Sequence, residues 1–158
     1  MKHVKKSVLL WYSPREMYDL VADVRAYPQF LPWCQRAEVL QEDAEAVTAK
    51  LSLAYAGVKQ SFTTRNLQRP GQQLTMTLVD GPFSVLDGIW DFIGIDLGSR
   101  GGAASEEAEA KACRVEFALR YAFASGPLEL VVSPVFDRIA NTFVDAFVVR
   151  AEQVYGKR

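Results

Sequence analysis

Residues 126–155 read GPLELVVSPVFDRIANTFVDAFVVRAEQVY. Leu128, Val131, Val132, Val135, Phe136, Ile139, Ala140, Phe143, Val144, Phe147, Val148, Ala151 and Val154 recur in steps of three and four, the signature of one face of an α-helix. That face is wider than a single packing seam needs, so the helix is expected to lie against something broad, such as a curved sheet. Asp137, Arg138, Asn141, Thr142, Asp145, Glu152 and Gln153 make its polar side. Ser125-Gly126-Pro127 is a start signal, with Ser as N-cap and Pro in the first turn. Pro134 removes a backbone hydrogen bond and predicts a kink, or a division between a short lead-in and the main rod. From Pro134 to Tyr155 the rod would be about 33 Å long at a rise of about 1.5 Å per residue.

Upstream of this helix the pattern is β. From Cys113 to Phe123, Cys113, Val115, Phe117, Leu119, Tyr121 and Phe123 fall on one side, and Arg114, Glu116 and Arg120 on the other. Gly98–Ala110 is rich in Gly, Ala and Glu, has no periodicity and reads as a mobile loop. Before it, Leu86, Gly88, Trp90 and Phe92 share a face of a strand from about Phe83 to Ile95. Gly88 there marks a bend or the close approach of another element. Leu74, Met76 and Leu78 mark a half-buried strand, and Val58–Leu67 another, with Gln60, Phe62 and Thr64 on a common face. Val47, Ala49, Leu51, Leu53 and Tyr55 mark a third, after a strand at Arg36–Gln41. Glu42–Glu45, Ala56-Gly57, Arg69-Pro70-Gly71 and Asp80-Gly81-Pro82 are turns. Connections this short favour an antiparallel meander.

The amino-terminal part supplies a first strand at Lys5–Tyr12 and a short amphipathic helix over residues 14–25. Ser13, Pro14 and Glu16 form a capping box, and Met17, Leu20, Val21 and Val24 lie at helical spacing. Tyr27-Pro28 should end that helix, because a residue before Pro avoids the α region. The run Tyr27-Pro28-Gln29-Phe30-Leu31-Pro32-Trp33-Cys34 packs three aromatics and two prolines into eight residues, too apolar for a solvated loop. It is either a plug over the end of the core or a rim over a ligand cavity, and local sequence weighs toward the plug. The fold class is therefore α+β, a helix-grip: a curved antiparallel sheet around a long C-terminal helix, with a short helical region after the first strand. A length of 158 residues fits one domain, 1–158, with a real core.

Composition narrows the function. With 18 basic and 19 acidic residues there is no global pull toward nucleic acid, and no role with DNA is expected. No apolar run is long enough to span a bilayer, and the basic start lacks the marks of a signal peptide. Cys34 and Cys113 show no CxxC spacing and point to two buried thiols in a reducing cytoplasm rather than to a disulfide. The single His3 sits in what should be a frayed start, so neither a His-based dyad nor a metal cluster can be built. No Gly-rich loop precedes a helix to hold phosphate. Asp87 and Asp91 should point outward, as solvated charges rather than an acid/base pair. Cys34 has no base near it in sequence. Lys59, Arg65, Arg69, Arg114 and Arg120 should share the outer sheet surface; a solvated face is the simpler reading, an acidic partner or RNA the other. No catalytic residue, metal ligand or required cofactor is assigned.

Several motifs in order resemble one family. They are Tyr27–Cys34; Phe62-Thr63-Thr64-Arg65-Asn66; Val79–Phe83 with Leu86, Gly88, Trp90 and Phe92; and the tail Val135-Phe136, Ala146-Phe147 and Val149–Tyr155. The chain resembles, over nearly its whole length, the coenzyme-Q-binding and ribosome-association-toxin proteins of the START-like superfamily, also described as polyketide cyclase/dehydrase and lipid transport. The Gly98–Ala110 loop is longer than is usual there. The resemblance implies the helix-grip fold and a hydrophobic pocket between sheet and C-terminal helix. It implies ubiquinone or a related polyprenyl quinone as bound ligand, delivered without catalysis in support of respiration. Phe62, Leu86, Trp90, Phe117, Leu119 and Tyr121 would line the tail channel. Phe136, Ile139, Phe143 and Phe147 would form its other wall, and Tyr27, Phe30 and Trp33 would gate the entrance. A filled core is the alternative for each. The implied setting is cytoplasmic and peripheral to the inner membrane, with transient contact with a membrane surface. The toxin branch implies instead binding to the large ribosomal subunit and a block of subunit joining. A polyketide cyclase or dehydratase would need an acid/base pair inside the pocket, where Tyr121 and Thr64 are the main polar groups.

Overall fold

The computed structural model describes residues 1–95 and 110–158. Seven strands form one antiparallel sheet: β1 (Lys2–Leu10), β2 (Cys34–Glu42), β3 (Ala46–Tyr55), β4 (Val58–Arg69), β5 (Gln73–Asp80), β6 (Phe83–Ile95) and β7 (Ala112–Phe123). Between β1 and β2 lie α1 (Pro14–Ala22) and a 3₁₀ turn, Val24–Gln29, and the chain ends in α2 (Gly126–Tyr155). The sheet order is β1-β7-β6-β5-β4-β3-β2, a meander from β2 to β7 with β1 returning to the edge beside β7. This is the helix-grip arrangement that the alternating strands and the terminal helix predict. Residues 98–109 of the expected Gly98–Ala110 loop lie outside the described residues.

The meander follows from its turns. Tyr55 pairs with Val58 across Ala56-Gly57, both in the left-handed region, which is the two-residue hairpin geometry that matches strand twist. Asp43 Oδ1 accepts from the amides of Glu45 and Ala46 and fixes the β2–β3 turn. Register places Val4, Leu119, Gly88, Met76, Asn66 and Val47 on one rung across six strands, all on the side that faces α2. A Cβ on Gly88 would lie 2.4 Å from Met76 Cε, so the expected close approach is made by the Met76 side chain.

Several local expectations need correction. The first strand is Lys2–Leu10 rather than Lys5–Tyr12, and His3 is paired opposite Arg120, not frayed. The short helix stops at Ala22 instead of running to residue 25, and a 3₁₀ turn continues through Tyr27-Pro28. Pro28 is tolerated because the amides of Phe30 and Leu31, downstream of it, close the turn on the Tyr27 carbonyl. Pro134 does not divide α2. The carbonyl it deprives of a donor belongs to Leu130, 81% exposed, where water can replace the bond. Val131 and Val154, assigned to the packing face, are 61% and 49% exposed near the helix ends. The capping box at Ser13 and Glu16 forms as read, with both reciprocal bonds present. No helix among the described residues is long and apolar enough to cross a membrane.

Gly81 is the turn position that geometry restricts most. Its φ is +151°, and a Cβ there would lie 2.8 Å from Phe62 Cβ and 3.3 Å from Phe62 Cα. Gly81→Ala is expected to destabilise the protein by about 1–3 kcal/mol, through the strained backbone and the pressure on Phe62. Gly57→Ala, at φ +80° with open space around it, should cost nearer 1 kcal/mol. Urea denaturation of the two variants checks the order; equal losses would contradict it.

Candidate functional site

The inner faces of β3–β7 and the apolar stripe of α2 meet around an apolar cavity. It is lined by Ala49 and Leu51 of β3; Phe62, Thr64 and Asn66 of β4; Met76 of β5; and Leu86, Phe117 and Leu119 of β6 and β7. Phe136, Ile139, Ala140 and Phe143 of α2 close it from above, and Val24, Tyr27 and Trp33 close one side. The free space for a water-sized sphere is about 60 Å³. Ligand pockets usually run to about 300–1,000 Å³, so the hollow expected between helix and sheet exists but is well below that size. The residues that border it include half-buried Phe62, Met76, Leu51 and Phe143.

Nine of the thirteen residues singled out by sequence meet at this cavity: Tyr27, Trp33, Phe62, Leu86, Phe117, Leu119, Phe136, Ile139 and Phe143. The other four do not line it. Trp90 is enclosed by Phe92, Phe117, Phe143 and Phe147, with ring centroids 4.5–6.1 Å away. Phe147 is fully buried against Tyr27, Phe30, Phe143 and Trp90. Both are core. Phe30 lies outside this layer, under the Arg150 guanidinium at 5.0 Å, and Arg150 also donates to Gln29. Tyr121 is buried but directs its hydroxyl to Asp137. The aromatic corner is both plug and rim. Tyr27 and Trp33 face the cavity, while Leu31 and the Tyr27 hydroxyl, donated to the Val21 carbonyl, close the core. Burial raises the Tyr27 hydroxyl well above its ordinary range, so it stays protonated as that donor.

Sequence reading missed Val24, Ala49, Leu51, Asn66, Met76 and Ala140 as lining. The signal for four of them was present in the alternation of β3–β5, since Ala49, Leu51, Asn66 and Met76 occupy inward positions of their strands. Thr64 and Asn66 stand out there. They are 6% and 5% exposed, and the Thr64 hydroxyl donates to Asn66 Oδ1 at 2.8 Å.

A second polar cluster pins α2 to the sheet. Asp137, read as part of the polar side of the helix, accepts from the Tyr121 hydroxyl at 2.5 Å, from Lys2 and from Ser133. Lys2 also donates to Ser133. Partial burial works against the carboxylate, but the bonds from Lys2, Tyr121 and Ser133 outweigh it and hold Asp137 below its ordinary range. Burial, then the Asp137 bond, raises the Tyr121 hydroxyl far above its ordinary value. Tyr121 is thus a committed donor in a structural tie. The two cysteines are free and buried, and burial pushes each thiol up to about 11. Neither is held as a thiolate nucleophile near neutral pH. On the outer sheet face Arg120 pairs with Asp87, and Arg114 with Glu116. Among the described residues no ion pair engages Lys59, Arg65 or Arg69.

Comparison with known proteins gives this geometry a context. The family model described as polyketide cyclase/dehydrase and lipid transport matches residues 10–148. The ribosome association toxin RatA of Pseudomonas aeruginosa is 40% identical over 154 residues, covering 98% of each chain. The mitochondrial coenzyme Q-binding protein COQ10 homolog B of Xenopus laevis is 29% identical, over 97% of this chain and 59% of its own length. Among solved structures, the Zhui aromatase/cyclase of Streptomyces sp. R1128 superposes with a TM-score of 0.74 at 18% identity, covering 99% of both chains, a likeness of fold.

The Asp137 tie predicts a pH dependence. Because the folded-state value of Asp137 is depressed, its contribution is present above the ordinary carboxylate range and lost as pH falls through the folded value. Its side chain is 35% exposed, so solvent screening limits the ion-pair part to no more than about 1 kcal/mol. Asp137→Asn should therefore be less stable than the parent at neutral pH and converge with it in acid. Urea midpoints measured from pH 7 to pH 3 test this; parallel curves would refute it.

Proposed function

The chain belongs to the polyketide cyclase/dehydrase and lipid transport family, and we propose that within it this protein binds and delivers an isoprenoid quinone, ubiquinone being the candidate, without chemistry on the ligand. The observation behind this reading is the cavity between α2 and the sheet, walled by aliphatic and aromatic side chains with Thr64 and Asn66 as its polar pair. A polyprenyl tail cannot cross water unshielded, since each CH₂ removed from water is worth about 0.8 kcal/mol. The small free volume is what an unliganded carrier of this kind should have. At about 24 cal/mol per Å³, an empty apolar void of about 300 Å³ would cost about 7 kcal/mol, within the range of a domain's whole stability. An empty hollow therefore contracts onto mobile side chains and reopens around a ligand. Neither a nucleophile nor an acid/base pair in the lining argues for catalysis: Thr64 is bonded to Asn66, and the Tyr27 hydroxyl to Val21.

A second reading has its own support. The relatives at 38–40% identity bear the names ribosome association toxin and persistence and stress-resistance toxin, against 29% for the coenzyme Q-binding relative. Lys59, Arg65 and Arg69 project from the outer sheet surface, where a ribosomal partner could meet them.

Two measurements separate the readings. Solvent extraction of the purified protein and mass spectrometry should recover a quinone, and the protein should take up ubiquinone from vesicles. Ala140→Val, which fills the cavity, should lower that uptake by about tenfold or more. Absence of any quinone, copurified or taken up, would contradict the carrier reading. Ribosome sedimentation after overproduction tests the other: loss of joined ribosomes that survives Ala140→Val but not the triple change of Lys59, Arg65 and Arg69 to Glu would favour docking by the outer face.

A further inference from the structure

Asn66 occupies a position where an apolar residue would be the simple choice. It faces inward from the middle of β4, between Val47 of β3 and Met76 of β5, beneath α2. Among the described residues, the one hydrogen bond of its side chain is the one it accepts from Thr64 at Oδ1. In this arrangement Oδ1 is taken by the Thr64 hydroxyl, and Nδ2 is left turned away from Thr64 as a donor with no protein acceptor among the described residues. Yet Nδ2 is not sealed in packing, because the one sealed, unpartnered side-chain polar atom among the described residues is Trp90 Nε1. A residue 5% exposed whose donor is neither bonded nor sealed presents it to the cavity that the residue lines. Beside it on the same rung, Met76 lies over Gly88, and Gly88 has no side chain of its own. A methionine has three rotatable side-chain bonds and moves easily, so the flat backbone at Gly88 can be uncovered next to Asn66.

We propose that Asn66 is the polar anchor of the cavity and selects a ligand whose buried end carries a carbonyl oxygen, as a quinone ring does. The inference rests on the carrier reading above and adds to it the ligand's chemistry and orientation. Nδ2 donates to the carbonyl, Thr64 holds the amide in that orientation, and the planar ring lies against the backbone at Gly88 once Met76 swings aside. The apolar tail then leads along the phenylalanine and leucine walls. A hydrocarbon of the same length fills the walls equally well but buries Nδ2 against carbon, which leaves a donor unmatched.

The test measures uptake of two probes that share a tail, a decyl-substituted benzoquinone and decylbenzene. Each is offered at equal mole fraction in phosphatidylcholine vesicles, and the protein-bound fraction is extracted and quantified after the vesicles are removed. The parent protein should take up the quinone about tenfold better than decylbenzene, the scale of one amide–carbonyl bond with an otherwise unmatched donor. Asn66→Leu should lower quinone uptake by about the same factor while decylbenzene uptake stays equal or rises. Thr64→Val, which keeps the shape and removes the orienting hydroxyl, should lose quinone uptake partially and decylbenzene uptake not at all. Retained decylbenzene uptake shows that a variant is folded. If Asn66→Leu misfolds, Thr64→Val and the parent's own preference between probes still decide. Equal uptake of both probes by the parent, or quinone uptake unchanged in either variant, overturns the anchor and leaves the carrier reading standing. Uptake of neither probe overturns both.

Discussion

The structure depends on how one face of α2 sits in the curve of the sheet. Phe136, Phe143 and Phe147 project from that face at helical spacing and meet rings from the strands: Phe136 against Phe62, Phe83 and Tyr121, and Phe143 and Phe147 against Trp90. All five pairs are edge-on or tilted, with centroids 4.8–6.1 Å apart, the arrangement that ring quadrupoles favour. Rings interlocked in this way cannot close every gap against a curved surface. Between Phe136 and Phe143 the helix passes over Leu86, Leu119 and Met76, and the cavity lies there.

Polar groups are placed so that the helix cannot drift. Partway along α2 the Lys2–Asp137–Tyr121 cluster ties it to β1 and β7. At its C-terminal end Tyr155 donates to the Glu16 carbonyl, Tyr12 to that of Gly156, and Arg158 forks onto the Glu16 carboxylate. On the carrier reading, a ligand would be accommodated chiefly by side chains between these two ties rather than by lifting the whole helix. Met76, Phe62 and Leu51 are each half-buried and border the free space.

Much of this was legible in sequence, and the remainder has physical reasons for being hidden. The helix and the strands announce themselves because their periods, 3.6 and 2, survive in the positions of Ile139, Phe143 and Phe147 and of Val115, Phe117 and Leu119. Strand ends were less clear. His3 and Lys2 look like a frayed start until β7 is known to offer a partner, and a polar Lys2 gives no periodic signal. Asp137 reads as a solvated helix residue because its partners are distant in sequence, at Lys2 and Tyr121. The division between cavity wall and solid core could not be read from pattern at all. Trp90 and Leu86 share one strand face, as Phe143 and Phe147 share one helix face, yet curvature puts one member of each pair at the hollow and the other in packing. The placement of Met76 over Gly88, in the lining of the hollow, is likewise something periodicity does not encode.

The sequence has three methionines, Met1, Met17 and Met76. Met1 is exposed, Met17 is buried in the core away from the cavity lining, and Met76 lies in that lining. Methyl-labelled methionine therefore gives three NMR signals, with two internal controls. Titration with a short-chain ubiquinone should shift or broaden the Met76 methyl signal while those of Met17 and Met1 hold their positions. Saturating quinone that leaves Met76 unmoved, or that moves only Met1, would contradict the claim that the space under α2 opens to receive a ligand.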